Sequence, residues 1–118
     1  MLKEDYVSFE TALLLKAKGF NERCGIPHVD DEQRLVCYIP TYQTAMRWLR
    51  KEHNIHVEVR ITNHSLSMSY DVPRYYWILL DAEKVKWMDE STAHESKSFK
   101  TYEEACEEGI KYCLQKMI

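Results

Sequence analysis

A chain of 118 residues that is 45% hydrophobic and 30% charged, with three glycines and three prolines, has the composition of one globular domain. That balance excludes disordered and collagen-like chains. The net charge of −3 excludes a global attraction to nucleic acid or to acidic membranes, although residues 41–80 are locally basic, with five basic against three acidic side chains and with His53, His56 and His64.

The first predicted helix covers residues 8–18. Ser8 is its N-cap, Glu10 sits in the first turn where the dipole favours an acid, and Gly19 falls where a left-handed cap would close it. Phe9, Leu13 and Phe20 are expected to point inward, with Lys16 and Lys18 in water. Residues 21–33, broken by Gly25 and Pro27, read as a loop. Arg34–Ile39 alternates and reads as a short strand that Pro40 stops.

The second helix spans residues 42–53 behind Thr41. Tyr42, Ala45, Met46 and Leu49 form one apolar stripe at i, i+3, i+4 and i+7, Trp48 flanks it, and Asn54 terminates the helix. Ile55–Ile61 alternates with period two. Ile55, Val57, Val59 and Ile61 share one face, and His56, Glu58 and Arg60 the other, as in an antiparallel sheet wet on one side. A weaker strand is expected over Leu66–Val72. Tyr75–Asp81 is the most apolar run and reads as a central strand, with Val85–Met88 as its hairpin partner, residues 89–96 as loop and Lys97–Lys100 as an edge strand.

The last helix opens on the capping box Thr101-Tyr-Glu-Glu104. Tyr102, Cys106, Ile110, Cys113 and Met117 make its stripe, widened by Ala105, Leu114 and Ile118, and Glu103, Glu107, Glu108 and Lys111 form the solvated side. Gly109 costs about 1 kcal/mol against Ala inside a helix, so its expected use is close approach to a neighbour. Together these elements predict an α+β domain: three helices packed on one face of a three- to four-stranded, mainly antiparallel sheet.

The segments VSFETALLLKAKGF, PTYQTAMRWLRKEHNIHVEV and FKTYEEACEEGIKYCL, taken as a set, resemble a group of small gut-bacterial proteins without assigned activity, many of them encoded in prophages or other mobile elements. The resemblance spans most of the chain and is least over residues 21–33 and 62–74. It implies an accessory protein of phage or mobile-element origin and carries no functional residue over.

Four cysteines, none in a CxxC pair, together with a start lacking an apolar leader, lead to the expectation of a reducing, cytoplasmic setting. No apolar run is long enough for a membrane span. His53 and His56 have HxxH spacing but fall on a helix and a strand, so they do not present two rings from one rigid element. Cys24, His28 and Cys37 read more simply as a small buried thiol and loop residues than as ligands. Asp30/Asp31 and Glu103/Glu104 read as a solvated turn and a helix-dipole pair. Neither a catalytic constellation, nor a metal site, nor a cofactor loop is predicted.

What remains is a basic, aromatic patch. Arg47, Arg50 and Lys51 share the polar side of the second helix, His56 and Arg60 extend from the following strand, and Tyr75 and Tyr76 border them. Arginine with aromatics serves both single-stranded nucleic acid and protein hot spots, and a solvated helix face is the plainer alternative. The expectation is a non-enzymatic interaction or accessory domain whose partner is another protein or a second copy of itself. Nucleic-acid binding through the second helix and its strand is the alternative, disfavoured by the overall acidity.

Overall fold

The computed structural model describes residues 5–62, 74–81, 93–95 and 99–118. Among these residues it shows an α+β architecture with three helices: α1 (Phe9–Ala17), α2 (Tyr42–His53) and α3 (Tyr102–Tyr112), the last continuing as a π-helical turn over Cys113–Met117. The described strands are β1 (Ile26–Val29), β2 (Leu35–Ile39), β3 (Ile55–Thr62), β4 (Arg74–Asp81) and β5 (Ala93–Glu95). They form two separate antiparallel sheets, β1–β2 and β3–β4–β5, where the sequence predicts one. The division has a local cause. Beyond β2 the buried Pro40 leads straight into α2, its carbonyl accepts from Val7 N–H at 3.0 Å, and Tyr6 bridges Thr41.

The helix caps follow their residue types. Ser8, Thr41 and Thr101 each accept from the N–H three residues on, at Thr11, Thr44 and Glu104. Asn54 closes α2 at φ 58°, and the chain turns directly into β3. α2 buries Ala45, Met46, Trp48 and Leu49, so Trp48 belongs to the core rather than to its flank, edge-on to Phe20 with ring centroids 5.5 Å apart.

α1 departs from expectation. Phe9 and Leu13 are 40% and 39% exposed, and the buried face is Thr11, Ala12 and Leu15, with Phe20 folded in behind the helix. The run Leu13-Leu14-Leu15 surrounds much of the helix, so periodicity alone selects no inner side. The partner decides instead: among the described residues α1 packs chiefly on β2 and on α3.

β1 lies inside the segment predicted as loop, and β5 inside another. β1 contains a proline and pairs irregularly, with a register break between His28 and Val29. Gly25 leads into it at φ 77°, and a Cβ there would collide with the backbone of Ile39. β5 has three residues and no run of its own; it is a strand because Ile78–Leu80 hold it in register. Phe99 exchanges backbone hydrogen bonds with Tyr75, at 2.9 and 2.6 Å, where an edge strand is predicted. The strand and hairpin partner predicted over 66–72 and 85–88 lie outside the described residues.

β3 and β4 pair without a break from Ile55↔Asp81 to Thr62↔Arg74. Val57, Trp77 and Leu79 face the helices, and α2 and α3 close over them with Ala45, Leu49, Ala105, Cys106, Ile110, Cys113 and Leu114. Gly109 fits the predicted close approach. A Cβ placed on it would lie 3.1 Å from Trp77 Cγ and 3.3 Å from Val57 Cγ1. The helix therefore seats directly on the indole, and a long side chain has no room. Gly109→Leu is expected to lower the unfolding free energy by about 2 kcal/mol or more, measured by urea titration, as overpacking forces α3 off the sheet.

Candidate functional site

The acidic side of α3 does more than face water. Glu107 accepts from Ser8 N–H at 2.9 Å, from Ser8 Oγ at 2.7 Å and from the Thr11 hydroxyl. A carboxylate at the first turn of α1 satisfies donors that the helix leaves open and matches its dipole. Tyr42 joins the same group: burial first, then the nearby Glu107, holds its phenol well above the ordinary tyrosine range. Three elements thus meet at one carboxylate.

Around this junction opens a cleft of about 1050 Å³. One wall is α3 with Glu103, Glu104, Glu107 and Glu108. The opposite side is Tyr6–Phe9, Ile26 and His28 of β1, and Ile39, with Tyr42 and Phe99 completing it. His28 lies on Phe9 with ring centroids 4.2 Å apart. Among the described lining residues there is neither lysine nor arginine. A smaller cavity of about 430 Å³ lies between the end of α1 and β2, with mixed charge from Lys16, Glu22 and Arg23.

The residues of the predicted basic patch occupy three places. Arg47, Arg50 and Lys51 are exposed on the outer side of α2, where Arg47 stands 3.5 Å from Glu22. His56 and Arg60 lie on the face of β3 turned away from the helices, because their neighbours Ile55 and Val57 face the core. Arg60 is paired to Glu58 at 2.9 and 3.2 Å and sits opposite Tyr76 in the register. Tyr75 points to the other face, where its ring meets Tyr102 edge-on at 6.2 Å. Arg60, His56 and Tyr76 therefore share one face, and the three α2 cations lie across the sheet from them.

The four cysteines are free, and their surroundings keep the thiols protonated. Burial pushes Cys106 up to about 11 and Cys113 up to about 12, and Cys24 and Cys37 are also raised, first by burial. Such thiols hold their protons at neutral pH and are poor nucleophiles. Among the described residues no group of three or more His, Cys, Asp or Glu is placed to hold a metal ion, and no helix is long and apolar enough to cross a membrane. No protein-family model matches the chain, and no curated protein or solved structure matches it either.

The cleft is absent from the sequence reading, which assigns its glutamates to a solvated face and a dipole. One signal was available. Glu103, Glu104, Glu107 and Glu108 repeat at i, i+1, i+4 and i+5, a broader acidic stripe than a helix start needs.

Two outcomes follow from this chemistry. Glu107→Ala is expected to cost about 2 kcal/mol, since it strands hydroxyl and backbone donors at the start of α1, whereas Glu108→Ala, exposed one residue on, should cost under about 0.5 kcal/mol; chemical denaturation compares them. The raised thiols favour the folded state while they are protonated. An unfolded cysteine ionises from its ordinary value of 9.0 upward, whereas Cys113 folded holds its proton to about 12. Stability is therefore expected to fall as pH rises from about 9 toward 12, and Cys113→Ala should flatten that limb in pH-dependent thermal melts.

Proposed function

We propose that this chain is a non-enzymatic binding module whose cleft receives a cationic, partly apolar segment of a protein partner. The observation that carries the reading is the cleft itself: a large concavity with aromatic and aliphatic groups on one side and four carboxylates on the other. Such a lining favours a lysine or arginine whose alkyl stem packs on Phe9, Ile26 and Tyr42 while its charge meets the glutamates. The protonated thiols support a role without covalent chemistry. The resemblance to proteins of mobile elements supports an accessory role.

Nucleic acid fits this concavity poorly, since phosphate would face four carboxylates. Of the basic residues, Arg47 and Arg60 already have acidic neighbours, and the α2 and β3 cations lie on opposite sides of the sheet.

Fluorescence anisotropy with a labelled peptide of alternating arginine and leucine tests the proposal, against a glutamate–leucine peptide and a single-stranded oligonucleotide. The arginine peptide alone is expected to bind, more weakly as salt rises. Glu103→Gln/Glu104→Gln/Glu108→Gln should weaken it by roughly tenfold or more, about 1.4 kcal/mol, while the remote control Asp31→Asn/Glu52→Gln should not. Equal losses in both variants would show diffuse attraction and remove the cleft from the reading. Tighter binding of the oligonucleotide would replace it with the nucleic-acid alternative.

A further inference from the structure

Among the described residues no strand pairs with the outer edge of β3. Tyr75 exchanges both of its hydrogen bonds with Phe99, so the N–H and C=O of Tyr75 point away from β3. By alternation Tyr76, Ile78 and Leu80 point toward β3, where they meet Arg60, Glu58 and His56. The backbone groups of Ile55, Val57, Val59 and Ile61 therefore point outward from the free edge.

This edge lacks three of the usual protections. β3 has no proline, no lysine and no break in its register over Ile55–Thr62. β1, by contrast, has Pro27 and a bulge. Near the end of β3, Ile61 is 66% exposed.

We propose that β3 pairs antiparallel with β3 of a second copy of this chain, about a two-fold axis through Val59. A closed two-fold contact needs a self-complementary strip, and charge pairing together with cover for the exposed Ile61 selects one register. Centred on Glu58, the pairing would set Glu58 against itself and His56 against Arg60. Centred on Val59, it sets Glu58 opposite Arg60 of the second copy and Arg60 opposite its Glu58. The same register places Ile61 opposite Val57, which covers the exposed isoleucine. It also matches the backbone phase, because Val57, Val59 and Ile61 all present outward donors and acceptors. A strip of five residues is a small interface, so the association is concentration-dependent. It shares no residue with the acidic cleft and stands independently of the function proposed for it.

Sedimentation velocity over a concentration series tests this, with circular dichroism confirming that each variant is folded. The wild-type chain is expected to shift toward twice the 14.1 kDa monomer as concentration rises. Val59→Pro removes an outward donor without touching the β3–β4 ladder, and should raise the dissociation constant at least tenfold. Glu58→Arg and Arg60→Glu should each be monomeric alone, since like charges then face across the axis. Mixed in equal amounts they should form a heterodimer, and the double exchange E58R/R60E should dimerise again. A wild-type chain that stays monomeric throughout overturns the proposal. So does a pair of single variants that fails to associate on mixing while the wild type dimerises.

Discussion

The structure depends on one contact, the seating of the Gly109 turn of α3 on Trp77 and Val57. A glycine at that point lets the helix approach until Ile110, Cys106 and Cys113 are fully buried against the sheet. α2 reaches the same surface through Ala45 and Leu49, both also fully buried, so one apolar layer serves two helices and a sheet. The helix-propensity cost of glycine is about 1 kcal/mol, and the burial of even one large aliphatic side chain exceeds it. The two trades are made at the same residue, which is why the last helix holds its place.

Because α3 is held on its apolar side, its acidic side is displayed in a defined direction. Glu107 lies between the two. It is bound by Ser8 and Thr11 and so joins α1 to α3, and from there the remaining glutamates line the cleft. A stripe of charges on an isolated helix would be a solvated face. Opposite Phe9, Ile26 and Tyr42 it becomes one wall of a concavity. The change comes from what the fold sets against it, not from the glutamates themselves.

The larger sheet likewise has two characters. Its inner face is covered by α2 and α3, and its outer face carries His56, Glu58 and Arg60. Pairing with β4 consumes one edge of β3 and leaves the other with alternating backbone groups directed outward. The basic residues of α2 and β3 end up distributed around this layer instead of pooled on it. Their closeness in sequence comes from a helix that runs directly into a strand at Asn54, and that connection places their side chains on opposite sides of the sheet.

The periodic elements were legible in the residues alone. α2, β3 and α3 each have a regular apolar spacing and β4 an unbroken apolar run, and local physics suffices to place such segments: the 42–53 helix, the 55–61 strand and the close approach at Gly109 are all where the sequence puts them. The α+β class follows from the same elements. Tertiary structure decided what no local period encodes. It turned Thr11, Ala12 and Leu15 of α1 inward in place of Phe9 and Leu13, because a run of leucines offers several inner faces and only β2 and α3 choose among them. It made strands of Ile26–Val29 and Ala93–Glu95, whose order comes from their pairing partners. It divided the strands between two sheets, and it built the cleft from residues nearly one hundred positions apart, a proximity that only long-range packing creates.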